Sequence, residues 1–161
     1  MFSFLSVLIL WMNTTMTVTS PDFKAGEMIP VQFTCKGQST SPALHFFSVP
    51  AGAKSLAIIM HDPDAQRPGG FTHWVAWNIL PSMTDIPRDF KGAVQGLNGA
   101  DKEGYMGPCP PSGVHHYHFM VYALDVTLNI DPKSHKADLE KAMEGHVLAK
   151  GELVGLFAAG K

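Results

Sequence analysis

Residues 56–79 constrain the fold of this 161-residue chain more than any other stretch. The apolar run Leu56-Ala57-Ile58-Ile59-Met60 leads into the polar corner His61-Asp62-Pro63-Asp64. Gly69-Gly70 follows, and then Phe71 to Ile79 alternates between two sets of side chains. A run of β-formers, a Pro-locked acidic turn, a Gly-rich loop and a second strand describe adjacent strands of a sheet with a polar site at one end. Pro63 fixes its own φ and drives Asp62 into extended backbone, so two carboxylates sit at defined angles. In the second strand a two-residue period predicts Phe71, His73, Val75, Trp77 and Ile79 on one face. Thr72, Trp74, Ala76 and Asn78 would share the other.

The rest of the chain reads as further β structure within one domain. Strands are expected at Ile29–Cys35, Leu44–Val49, Lys54–Met60, His115–Leu124 and Val147–Phe157. In the fourth, His115, Tyr117, Phe119 and Val121 share a face opposite to His116, His118, Met120 and Tyr122. Residues 82–102 show little periodicity and read as a long excursion. One helix is expected, Asp138–Glu144, begun by Ser134 or Asp131 and ended by Gly145. The segment from Gly104 to Gly113, with three glycines and three prolines, combines rigid path with close backbone approach.

Residues 1–15 form a hydrophobic leader and are set apart from the domain at 16–161. The run Phe2–Met12 is too short for a spanning helix. It is either the result of a translation start placed before Met16 or a weak export signal, lacking a basic flank and a small-residue cleavage site. No transmembrane span is expected, and the protein is placed in the cytoplasm, or in the periplasm or outside the cell if the leader is a working signal. The net charge of −2 offers no basic field, so nucleic acid is not an expected partner. Two cysteines, Cys35 and Cys109, read as free thiols in a reducing compartment, with a single disulfide as the alternative in an exported protein.

The candidate site gathers Asp62, Asp64, His73, Gly107, His115 and Tyr117. A carboxylate that orients an imidazole makes it easier to protonate. A protonated His beside free backbone N–H groups and a phenol suits a phosphate or another oxyanion. The carboxylates would accept loop N–H groups and hold the histidines. A metal site from His73, His115 and an Asp lacks any specific spacing, so neither metal nor cofactor is expected. Cys109 with His115 as base is a further alternative, weakened by Pro110, which denies the thiol a helix N-terminus. The plainest alternative is that the acids cap a turn and the histidines are ordinary core residues.

Three blocks carry a resemblance: Asp62-Pro63-Asp64-Ala65, then Phe71-Thr72-His73-Trp74-Val75-Ala76-Trp77-Asn78-Ile79, then Gly104-Tyr105-Met106-Gly107-Pro108-Cys109-Pro110-Pro111-Ser112-Gly113-Val114-His115-His116-Tyr117. They resemble the signature blocks of the phosphatidylethanolamine-binding protein family, that of the Raf kinase inhibitor protein, and are most similar to its bacterial branch. The likeness runs from Met16 to Phe157. It implies a mainly β fold, with a large central antiparallel sheet, a smaller second sheet and few peripheral helices. It also implies a shallow anion pocket, whose lining matches Asp62, Asp64, His73, Gly107, His115 and Tyr117, with Pro108 beside them and Trp74 as nearby packing. Gln66 departs from the family's usual Pro. The implied function is a binding module for a phosphate-bearing small molecule, phospholipid headgroup or phosphorylated side chain. Inhibition of a protein kinase or protease is an expectation by analogy with eukaryotic relatives, and a homodimer is a separate expectation. The alternative is a weak hydrolase using His73 or His115 as general base.

Overall fold

A computed structural model describes residues 14–160. Most of the leader, residues 1–13, lies outside the described residues, as does 161. Among the described residues nine strands and one α-helix follow in order: β1 Thr14–Thr15, β2 Thr17–Thr19, β3 Leu44–Phe47, β4 Ser55–Asp62, β5 Phe71–Ile79, β6 Asp85–Ile86, β7 Val94–Gln95, β8 Val114–Leu124, α1 Lys136–Met143 and β9 Val147–Ala158. Six strands form the large sheet in the order β1-β9-β8-β4-β5-β7. All its pairs are antiparallel except the short β1–β9 edge. A small antiparallel sheet has the order β2-β3-β6.

The centre of the large sheet is covered on both faces. Leu56, Ile58, Met60, Trp74, Tyr117, Phe119 and Val121 pack toward the small sheet, meeting Val18, Leu44, Phe46 and Ile86. Ala57, Ile59, Val75 and Trp77 pack on the opposite face against Leu139 and Met143 of α1. This explains the unbroken apolar run at 56–60: a strand buried on both faces cannot alternate with polar residues. The end of β4 leaves the core. Asp62 continues the parity of Leu56, Ile58 and Met60, so it emerges on the small-sheet side of the large sheet.

Strict alternation fails in β5. Leu56 pairs with Ile79 but Ile58 with Ala76, and Met60 pairs with Trp74 but His61 with Thr72. Each step leaves one extra residue on β5, the signature of a β-bulge. At the first bulge Asn78 adopts φ 59°. Its side chain exchanges two hydrogen bonds with the backbone of Leu128, donating from Nδ2 and accepting at Oδ1, both at 2.8 Å. At the second the extra residue is His73. The predicted single face is therefore corrected: Val75 and Trp77 lie toward α1, Ile79 joins Trp74 and Ala76 on the other side, and His73 lies against Tyr117.

Four further expectations are corrected. Ile29–Cys35 is not a strand: Pro30 precedes a 3₁₀ turn, Val31–Phe33, closed by Phe33 N–H to Pro30 O and Thr34 N–H to Val31 O. These local bonds use groups that a ladder would need. The helix begins two residues earlier than expected, with His135 at its N-cap in place of Ser134 or Asp131. The His135 N–H donates to the Asp138 carboxylate at 3.0 Å, which satisfies one donor at the helix start. Residues 82–102 contain β6 and β7, too short to show a period. Finally, Cys35 and Cys109 are not free thiols but a disulfide, with Cα atoms 5.5 Å apart. The Cys35 N–H also donates to Pro108 O at 3.1 Å, so the two chain segments are already neighbours through their backbone.

Candidate functional site

The ends of β4 and β8, the second bulge of β5 and the 104–113 loop converge on one cavity of about 210 Å³. Its lining includes Asp62, His73, His115 and Tyr117, together with Gln66, Phe71, Met106, Cys109, Pro110 and Pro111. A larger groove of about 360 Å³ lies at the β1–β9 edge. It has no comparable convergence of buried polar side chains, so chemistry points to the smaller cavity.

Each imidazole is held by a different acceptor. His115 Nδ1–H donates to Asp62 Oδ2 at 2.7 Å, with both side chains buried. Asp62 Oδ1 accepts the Asp64 N–H at 2.9 Å, closing the turn that Pro63 stiffens. His73 Nδ1 lies 2.8 Å from the carbonyl oxygen of Met106. A carbonyl can only accept, so that nitrogen carries the proton and Nε2 is the remaining site. His73 is also wedged edge-on against Phe71 and Tyr117, at centroid distances of 4.7 and 5.2 Å. Burial pushes its pKa down to about 4, outweighing the Met106 bond and the nearby Asp62 charge, which act the other way. The expectation of a protonated imidazole therefore fails for His73, which is neutral near pH 7.

Tyr117 is fully buried and stacked near His115, and its hydroxyl has no hydrogen-bond partner among the described residues. Burial first, then the Asp62 and Asp64 charges, raise its pKa, so it stays a neutral phenol able to donate. Buried hydroxyls are as a rule paired, and this one is an exception.

The remaining sequence-predicted residues stand around the cavity. Asp64 turns outward: Oδ2 accepts both the backbone N–H and Nδ1 of His116, at 2.8 and 2.7 Å, and these bonds lower its pKa. Gly107 donates its N–H to Ser39 Oγ at 2.8 Å, and a Cβ there would lie 2.7 Å from the Thr34 carbonyl carbon. Glycine at that position lets the loop lie on the 3₁₀ turn. Pro108 accepts the Cys35 N–H and is buried. Trp74 is core, its indole N–H donating to Gln95 Oε1 at 2.8 Å. Met106 was not predicted. It acts through its carbonyl, a group every residue possesses, so no side-chain pattern announces it. Among the described residues no cluster of His, Cys, Asp and Glu has the geometry to hold a metal ion, and no helix is long and apolar enough to cross a membrane.

Known proteins agree with this architecture. The family model for phosphatidylethanolamine-binding protein matches residues 19–158. A UPF0098 protein of Pyrococcus horikoshii is 51% identical over 84% of this chain and 73% of its own. The crystal structure of a phosphatidylethanolamine-binding protein homologue from Chlamydia trachomatis superposes with a TM-score of 0.87 at 39% identity, covering 91% of this chain and 99% of that one. That of E. coli YbcL, described as a member of the mammalian family, gives 0.84 at 33% identity, covering 90% and 99%. With the bulged strand, the acidic corner and the proline-rich loop assembled around one cavity, and with that match along most of its length, the chain belongs to the phosphatidylethanolamine-binding protein family.

Proposed function

We propose that this protein is a non-enzymatic binding module whose cavity takes the phosphate of a small molecule, a phospholipid headgroup or a phosphorylated side chain. One observation carries the reading: three polar side chains, His73, His115 and Tyr117, line the cavity, the two imidazoles held through Nδ1 and the buried Tyr117 hydroxyl unpartnered. Fixed donors and acceptors around a small void bind a polar ligand without a reorganisation cost. The volume of about 210 Å³ is below the ~300–1,000 Å³ usual for drug-sized ligands, which suits a headgroup and leaves acyl chains outside. Control of a kinase or protease would follow by covering the partner's surface once the pocket is filled. The Cys35–Cys109 bridge favours the exported alternative over the cytoplasm.

A hydrolase has one supporting feature, the Asp62–His115 pair, which is how a general base is oriented. It lacks a protein nucleophile in the cavity, because the Cys109 sulfur is already bonded to Cys35.

The test is titration of ¹⁵N-labelled protein with inorganic phosphate and with phosphoethanolamine. Amide shifts are expected around Asp62, His73, Met106 and Tyr117, and are expected to vanish in a folded Asp62→Ala variant. Shifts that persist there, or none in the wild type, would overturn the proposal. Turnover of phosphoesters that is lost on replacing His115 would favour the hydrolase.

A further inference from the structure

We propose that Cys35 and Cys109 form a dithiol/disulfide couple that reduces small disulfides, with Cys109 as the attacking sulfur and Cys35 as the resolving one. The proposal uses a wall of the cavity and none of the anion contacts assigned above. Both cysteines are exposed, yet they are placed differently. Cys109 belongs to the cavity lining and its partner Cys35 does not. A sulfur compound that enters the cavity therefore meets Cys109. Pro108 and Pro110 fix the backbone on either side of it, and both are buried, so Cys109 keeps its place when the bridge opens. Cys35 stands in an exposed turn, residues 35–38. That turn holds itself through Gly37 N–H to Thr34 O and Gln38 N–H to Gln32 O, each at 3.0 Å. The Cys35 N–H donates to Pro108 O at 3.1 Å, which keeps its sulfur within reach of Cys109 in the reduced protein.

In the reduced protein the Cys109 thiolate attacks one sulfur of a disulfide RS–SR. A Cys109–S–S–R bond forms, the RS–SR bond breaks, and the departing RS⁻ takes up the proton that Cys109 gave to solvent. The Cys35 thiolate then attacks the Cys109 sulfur. The bridge forms, the second RS⁻ leaves, and it takes up the proton from Cys35. Two electrons pass from the pair to the substrate, and two molecules of RSH are released. A dithiol reductant reopens the bridge, which its exposure makes accessible. The direction follows from the fold. A bridge across a sequence separation of 74 residues stabilises the folded chain, and by reciprocity the folded chain stabilises the bridge. The pair therefore donates electrons in preference to withdrawing them. The size of the substrate follows from the cavity. About 210 Å³, walled in part by Phe71, Met106, Pro110 and Pro111, takes a short disulfide with an apolar body and excludes a peptide one.

The experiment follows reduced full-length protein, freed of reductant, as it reacts with bis(2-hydroxyethyl) disulfide, by mass spectrometry and thiol release. The wild type should release two thiols per chain and return to the bridged mass with no lasting adduct. Cys35→Ser should stop at one released thiol with a stable adduct on Cys109. Cys109→Ser, which leaves only the sulfur outside the cavity, should form its adduct at least ~10-fold more slowly, because access sets the rate. Oxidised glutathione is too large for the cavity, so with it the two variants should react within ~3-fold of each other. Peptide mapping of the first adduct on acid-quenched wild type reads the same order of attack without any substitution, should a variant fail to fold. Equal rates at the two cysteines with the small disulfide, a first adduct on Cys35, or a lasting adduct on the wild type would each overturn the assignment. None of these results touches the anion pocket, whose phosphate shifts do not depend on the two sulfurs.

Discussion

Breaking the Cys35–Cys109 bridge should separate the stability of this fold from the shape of its cavity. The bridge closes a segment with a sequence separation of 74 residues. Removing that constraint from the unfolded chain, on the loop-closure relation, costs about 4 kcal/mol. For a domain of this size that converts to a drop in Tm of roughly 8–16 °C. The cavity should nevertheless survive. The 3₁₀ turn and the 104–113 loop are also joined by Tyr105 O–H to Phe33 O at 2.8 Å, Gly107 N–H to Ser39 Oγ at 2.8 Å and Cys35 N–H to Pro108 O at 3.1 Å. Three bonds hold the same two segments, so reduction should act chiefly on the unfolded ensemble. Both cysteines are exposed, so a water-soluble phosphine reductant reaches them in the folded state. The assay is thermal unfolding by circular dichroism of the oxidised protein, the reduced protein and the Cys35→Ser/Cys109→Ser variant, with phosphate shifts by NMR at 25 °C as the second readout. Denatured, unreduced protein should show no reactive thiol. Melting within ~3 °C of the oxidised form would refute the unfolded-state argument. Loss of phosphate shifts from a reduced but folded protein would refute the three-bond argument.

Two other outcomes follow from particular contacts. His73 has a pKa near 4 in the folded protein against an ordinary 6.5, so the unfolded chain binds more protons between these values. Its contribution is present above pH ~6.5 and is lost as pH falls toward ~4, amounting to about 3 kcal/mol. His73→Asn, which keeps a donor for Met106 but cannot titrate, should flatten this part of a urea-denaturation pH profile; an unchanged slope would contradict the burial assigned to the ring. Gly107→Ala should lose about 1–3 kcal/mol, because the added Cβ meets the Thr34 backbone, which cannot rotate away. A urea midpoint equal to the wild type would show that the loop does not lie on the turn as described.

Much of this fold was legible because its central strands obey simple rules. The apolar run at 56–60 follows from burial on both faces and the alternation from His115 to Ala123 from full burial on one, and both read correctly. Pro63 likewise announced the turn at the end of β4. What failed depended on partners distant in the chain. A bulge is a relation between two strands: Phe71–Ile79 looks regular alone, and its extra residues exist only relative to β4. Cys35 and Cys109 carry no local mark of pairing, since their approach depends on where the 104–113 loop crosses the 3₁₀ turn. The Ile29–Cys35 segment has strand composition, but Pro30 and the bonds closing Val31–Phe33 give its backbone a local solution first. At the site, Asp62, His73, His115 and Tyr117 were gathered as candidates from their residue types and again by the resemblance, whereas nothing in a side-chain pattern selects the Met106 carbonyl.

The second bulge matters most, because it decides what His73 can do. Under strict alternation the ring would share a face with Val75 and Trp77, which lie against α1. The extra residue in β5 puts it instead against Tyr117, on the same side as Asp62 and His115. The two imidazoles then differ through their acceptors. His115 faces a carboxylate. His73 faces a carbonyl, a weaker counterpart to charge, in the more confined position. One sheet end thereby presents two nitrogen atoms of unlike character to a single ligand. That asymmetry originates in the backbone: without the bulge, alternation along β5 would carry the imidazole to the α1 face and out of the cavity.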